Sequence, residues 1–338
     1  TPVPSSAASD VYKRQDIIRS RAAEAEDNAL SIKGITNSDG ADASWGEGET
    51  LLMTSNGFLG HSKKSNHGVS VVVIAEKDGK MERDYDYSSK VFGKDLKSFK
   101  LIGIKAAENT LARIGASKPV TGKYPVVFGP RVAKSISGHI ASAINGSAIA
   151  RKTSFLKDMM NKQIISSEVN IVDNPFLKRG LGSRLFDGEG LGCSKRLMVK
   201  DGILQGWLLD LSSAKQLNMK PTGNARRGIN GPPSPSTSNF MIMPGNINPE
   251  DLILDINDGF YITDMIGSSV SLVTGDYSRG ASGFWIKNGK LSQPISEATI
   301  AGNLKDMFMS LKPANDLDLS FSVTSPTLLI DGMTIAGN

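Results

Sequence analysis

Three dipeptides constrain this chain more than any other feature. Asp78-Gly79, Asp201-Gly202 and Asn288-Gly289 each stand beside runs of strand-forming residues. Asp-Gly and Asn-Gly tolerate the positive φ that a two-residue turn demands, so each predicts an antiparallel hairpin. The predicted arms are residues 68–75 and 81–87, residues 197–200 and 203–209, and a strand over 282–287 that Asn288-Gly289 turns back. Further strands are expected at 51–53, 124–128, 239–243 and 269–274. Helical spacing of apolar residues predicts helices over 16–30 and 96–114, the second ending at Gly115. Pro130 opens another, expected to run to about residue 150, with its apolar face at Val132, Ile136, Ile140, Ala143 and Ile144. Shorter helices are expected at 155–160, after Asn248-Pro249, and over 304–311.

Hairpins outnumber strand–helix–strand units, so the expected class is α+β. An N-terminal α/β-mixed domain precedes a larger, antiparallel β-rich C-terminal domain with a buried helix. The polar segment 116–122, with Pro119 and Gly122, sets the expected boundary between domains 16–118 and 119–338. The loop 228–238, containing Pro232, Pro233 and Pro235, reads as a surface linker. Residues 1–15 have no apolar periodicity and no apolar h-region. Residues 5–15 resemble translated adaptor read-through, so 1–15 is read as a non-native extension and the first domain as truncated.

The chain carries 39 basic and 34 acidic side chains, a formal net charge of +5. No basic cluster is long enough for a nucleic-acid patch, and no apolar stretch is long enough for a transmembrane helix. The one cysteine, Cys193, excludes an internal disulfide framework and a cysteine-cluster zinc site. The histidines, His61, His67 and His139, show no H-E-x-x-H spacing. His61 and His67 are expected at the surface, and His139 half-buried in its helix. The Gly188-Glu189-Gly190-Leu191-Gly192 run neither follows a clear strand nor opens a helix, so it reads as a flexible loop rather than a phosphate cradle. Ser282 lies outside a G-x-S-x-G elbow, and Cys193 has no visible activating partner. Trp207 and Trp285 stand as either interface anchors or core. The residues alone therefore reveal no catalytic constellation.

Several long blocks stand together in order: VIAEKDGKMERDYDY (73–87), SGHIASAINGS (137–147), RKTSFL (151–156), FDGEG (186–190), KDGIL (200–204), TGDYSRGASGFW (274–285) and SEATIAGNLKDM (296–307). From residue 16 to the C-terminus they resemble the TldD/PmbA metallopeptidase family, and within it the PmbA/TldE type of subunit. The resemblance implies a cytoplasmic bacterial heterodimer with a TldD-type subunit that cleaves unfolded or flexible peptides, in peptide-antibiotic maturation or antitoxin degradation. TldD-type subunits hold zinc on an H-E-x-x-x-H helix completed by a cysteine near the C-terminus. Laid on this chain, those positions fall on Ser137, Gly138, Ser142 and Ser325. None supplies an imidazole, carboxylate or thiolate. The resemblance therefore implies no metal, cofactor or catalytic residue in this chain, with zinc in the TldD-type partner. It also implies peptide substrates, while the chain's own composition predicts no membrane and no nucleic-acid partner. The alternative is a stand-alone protein-binding modulator, for example of DNA gyrase, without proteolysis.

Overall fold

All three dipeptide turns adopt the backbone they predict. The φ angles are 53° and 74° at Asp78-Gly79, 47° and 79° at Asp201-Gly202, and 49° and 73° at Asn288-Gly289. The computed structural model describes residues 6–228 and 230–337. The described residues divide into two compact units, one of residues up to 50 with 63–115, the other of 51–62 with residues from 116 onward. Of the stretch 1–15, residues 1–5 lie outside the described residues, and 6–15 begin the first helix.

The first unit contains α1 (Ser6–Leu30), all but the 51–62 ends of β1 (Asn37–Met53) and β2 (Leu59–Lys77), β3 (Lys80–Lys90) and α2 (Phe99–Ala112). Its sheet runs β1-β2-β3. Alternate residues of β2, Val69, Val71 and Val73, are buried with Ala25 and Ala29 of α1 and Ile102 and Ala106 of α2. That alternation is the period of two expected where one sheet face is covered by helices. The two helices meet closely at Gly103, where a Cβ would lie 2.1 Å from the Ala25 carbonyl oxygen. Backbone cannot retreat as a flexible side chain can. Gly103→Val is therefore expected to destabilise this unit by about 2–3 kcal/mol, measured by chemical denaturation; a change near zero would show that α1 and α2 separate freely.

The second unit continues with β4 (Gly122–Phe128), α3 (Pro130–Ala143), α4 (Gly146–Ala150), β5 (Ile171–Asp173), β6 (Arg196–Lys200), β7 (Ile203–Leu204), α5 (Leu211–Gln216), β8 (Ala225–Arg226), β9 (Ser234–Pro235) and β10 (Phe240–Ile242). It closes with α6 (Pro249–Ile253), β11 (Asp258–Val270), β12 (Asp276–Lys287), β13 (Lys290–Asn303), α7 (Leu304–Met309), β14 (Lys312–Pro313), β15 (Val323–Thr324) and β16 (Leu328–Gly337). One sheet runs β13-β12-β11-β4-β16-β14, and β13 also pairs with β16. That extra pairing closes β4, β11, β12, β13 and β16 into a barrel, with only β4 and β11 parallel. A second sheet runs β15-β10-β5-β6-β7. The result is the expected α+β class, with a β-rich domain and a buried helix.

That helix is α3. Val132, Ala133, Ile136, Ser137, Ile140, Ala141 and Ala143 are buried, and α3 packs against β10 and β15 of one sheet and β4 and β11 of the barrel. Pro130 sits in its first turn, where a missing N–H costs nothing.

Several expectations change. The helix expected to about residue 150 breaks after Ala143, because the Asn145 side chain accepts the Ser147 N–H and starts α4. Residues 155–160 form turns rather than a helix, bounded by positive φ at Lys152 and Asn161. The strand expected over 203–209 stops at Leu204, and Leu208 instead bonds across the α3–α4 junction, giving its carbonyl to Gly146 and its N–H to Ile144. The strand expected over 269–274 is mostly turn, since β11 begins earlier and ends at Val270. The linker expected over 228–238 is anchored: Pro235 is buried and pairs with Ala225, and Ser238 is buried. Trp207 and Trp285 are 4% and 6% exposed, so both are core.

Candidate functional site

Helix α3 carries three of the four positions laid on the zinc site. Ser137 is fully buried, and its hydroxyl donates to the Thr324 carbonyl at 2.9 Å. Thr324 precedes Ser325, also fully buried, whose hydroxyl donates to the Pro326 carbonyl at 2.9 Å. The fold thus brings Ser137 and the Ser325 segment together across 187 residues of sequence. Ser142 does not join them. It is exposed and donates back to the Gly138 carbonyl at 2.9 Å. Gly138 faces open space, with nothing within 4 Å of where a Cβ would stand.

These residues do not fit a zinc ion. Two buried hydroxyls already donate to main-chain carbonyls, a third is bonded within its own helix, and Gly138 has no side chain. Among the described residues, no three of His, Cys, Asp and Glu are grouped to hold a metal ion. No chemical step through zinc is derived for this chain.

Next to Ser137 and Gly138, His139 is half-buried. Its ring meets the Tyr277 ring edge-on at 5.8 Å. Burial, and then the nearby Arg279 charge, push the His139 pKa down to about 4. Burial likewise pushes the Tyr277 phenol up to about 12. A histidine whose folded pKa is lowered binds its proton more weakly in the folded state. The stability it contributes is complete above its unfolded pKa near 6.5 and falls as pH drops toward 4. Over that window the wild type is expected to lose about 2–3 kcal/mol more than His139→Gln. Denaturant unfolding at several pH values measures this; parallel profiles would refute the assignment.

The remaining candidates have settled structural roles. The run from Gly188 to Gly192 is pinned rather than flexible. Asp187 accepts the Glu189 and Leu191 N–H groups at 2.9 Å each and the Ala225 N–H at 3.0 Å. These N–H groups are thus occupied, which argues against a phosphate cradle. The Cys193 thiol donates to the Gly223 carbonyl at 3.2 Å, and burial raises its pKa. Ser282 is buried in β12. His61 is exposed, as expected. His67, expected at the surface, is half-buried beside Trp45 and lines a cavity of about 230 Å³ with Arg14 and Arg21.

Sequence reasoning missed a buried polar network at the ends of β5 and β10. Asp173, 1% exposed, accepts the Ser238 N–H at 2.8 Å, the Ser238 hydroxyl at 2.7 Å and the Asn224 amide at 2.8 Å. Asn239, fully buried, accepts the Gly182 N–H and donates to the Asn174 carbonyl and Ser183 hydroxyl. The available signal was Ser238-Asn239, a polar pair directly preceding an apolar run. Burial of such a pair requires partners.

Residues 121–337 match the PmbA/TldA metallopeptidase C-terminal domain, and residues 9–114 match the central domain of the same family. The chain is 39% identical over 318 residues to metalloprotease PmbA of Escherichia coli O157:H7, covering 94% of this chain and 69% of that protein. Among solved structures it resembles a protein from Bacteroides thetaiotaomicron described as a candidate modulator of DNA gyrase. That likeness has TM-score 0.86 and 31% identity and covers 96% of this chain and 72% of the other. It also shares the fold of TldE from Thermococcus kodakarensis, with TM-score 0.85 and 19% identity over 95% of this chain and 74% of the other. Two family domains in order, together with this level of identity, show that the chain belongs to the PmbA/TldD metallopeptidase family, as a PmbA/TldE-type member.

Proposed function

We propose that this chain is the non-metal-binding subunit of a cytoplasmic TldD/TldE zinc metallopeptidase that degrades unfolded or flexible peptides. The observation that carries the reading is the donor set on and beside α3. On the family resemblance, Ser137, Gly138, Ser142 and Ser325 take the positions at which a TldD-type subunit needs two imidazoles, a carboxylate and a thiolate. The hydroxyls are engaged within the protein. A chain of this family without those groups contributes surface and substrate contacts rather than the hydrolytic centre, and the TldD-type partner supplies the zinc that activates water.

The test is co-purification with a TldD-type subunit that keeps an intact H-E-x-x-x-H helix, followed by peptide cleavage with and without this chain. The expected result is a stable heterodimer, with cleavage only when both chains are present and zinc only in the partner. About one tightly held zinc in this chain alone would overturn the reading. The description of the Bacteroides relative favours a second reading, a stand-alone binding protein acting on DNA gyrase. Failure to bind the TldD-type subunit, combined with direct binding to gyrase, would select it.

A further inference from the structure

His139 on α3 packs against Tyr277 of β12, two residues from Arg279, and His139 and Arg279 each carry a buried nitrogen with no hydrogen-bond partner: Nε2 of His139 and Nε of Arg279. Tyr277 and Arg279 lie two residues apart on β12 and so project from the same face of the strand. Tyr277 is 2% exposed and packs edge-on against the His139 ring, and its hydroxyl points to the Met265 sulfur at 3.5 Å. Arg279 has no carboxylate partner among the described residues. A guanidinium is always charged and has no acceptor of its own. Holding it half-buried beside an aromatic ring, without a counter-ion, is unfavourable. An anion seated there would satisfy both unpartnered nitrogens.

The surroundings select the kind of anion. The guanidinium offers a planar fork that matches the two oxygens of a carboxylate. Beside it stand one imidazole and an apolar wall of Tyr277 and Met265, which suits a carboxylate on a carbon chain. His139 lies in the middle of α3, so no helix N-terminus adds the N–H cluster of a phosphate site. Each side chain as a whole is half-buried, while the two unpartnered nitrogens themselves are covered, so a carboxylate reaches them by displacing the side-chain atoms above them.

We propose that His139 and Arg279 form a carboxylate-binding site between α3 and β12, with Arg279 clamping the two oxygens and His139 donating to one of them. Assigning the carboxylate to a peptide, at its C-terminus or on an acidic side chain, rests on the peptidase reading. Carboxylate binding itself does not. No covalent step is involved.

The test uses the chain alone, so its outcome is separate from assembly with a TldD-type subunit. Three probes are titrated: acetyl-trialanine with a free C-terminus, its C-terminal amide, and an amidated acetyl tripeptide with a central glutamate. Affinity is measured by calorimetry. The His139 ring signal is followed by NMR and identified by its loss in His139→Gln. Saturable binding of the free acid, with a shift of the His139 signal and no binding of the neutral amide, is expected. Arg279→Gln is expected to weaken binding about tenfold or more, the size of losing a charge-assisted hydrogen bond. Arg279→Lys keeps the charge but loses the fork, and an intermediate loss is expected; this variant decides the matter if Arg279→Gln fails to fold. Binding of the glutamate probe would place the carboxylate on a side chain, and binding of the free acid alone would place it at the C-terminus. Equal binding of the neutral amide, no binding of either acid, or unchanged affinity in both Arg279 variants would overturn the proposal.

Discussion

Asp173→Ala is expected to unfold the second unit more readily than any other single truncation considered. The carboxylate is 1% exposed and accepts three hydrogen bonds at 2.7–2.8 Å, two from Ser238 and one from Asn224. Alanine leaves all three donors in a dry interior. Removing one partner from a buried charged network costs about 3–5 kcal/mol. That is a large share of a typical folding free energy of about 5–15 kcal/mol. For a unit of this size the transition should fall by about 10 °C. Asp173→Asn keeps the shape but turns an amide N–H toward donors, so it should recover only part of the loss. Calorimetry and denaturant titration measure both. A loss of less than about 1 kcal/mol for Asp173→Ala would mean that Ser238 and Asn224 find other acceptors.

The second large effect concerns Ser137→His. Introducing an imidazole at the position that the family resemblance lays on a zinc ligand looks conservative on paper. In this fold Ser137 is fully buried and bonded to the Thr324 carbonyl. A ring there overpacks the core at about 1–3 kcal/mol and forfeits the hydrogen bond at about 1 kcal/mol more. The combined variant Ser137→His, Gly138→Glu, Ser142→His and Ser325→Cys is expected to hold no stoichiometric zinc. Ser137 is buried and bonded to the Thr324 carbonyl, while Ser142 is exposed and bonded within its own helix, so the two side chains stand in different surroundings. Elemental analysis decides this. One tightly bound zinc per chain, in a variant as stable as the wild type, would show that the ligand cage survives intact and lacks only its side chains.

The pattern of correct and missed elements follows the range of the forces involved. The three glycine turns, the alternation along β2 and the start of α3 at Pro130 depend on the φ preferences and apolar spacing of neighbouring residues, so they are legible in the chain itself. That Ser137, Gly138, Ser142 and Ser325 carry no imidazole, carboxylate or thiolate is equally legible, because side-chain chemistry does not depend on the fold. The break at Asn145 was a local capping signal within an otherwise strong helical pattern, and the cap won. The early start of β11 at Asp258 was obscured because its alternation is interrupted where register shifts occur against β12.

The sequence by itself determined an α+β chain of this family, three hairpins and a proline-started helix. Only the tertiary structure decided which distant groups meet. It closed the barrel through β13 and β16, buried Ser137 against Thr324, gathered Ser238 and Asn224 on Asp173, and set His139 beside Tyr277 and Arg279. The physical reason is that local backbone preference acts over a few residues. Burial and hydrogen-bond satisfaction are settled between segments far apart in the chain, by as much as 187 residues, and no periodicity within either segment records its partner.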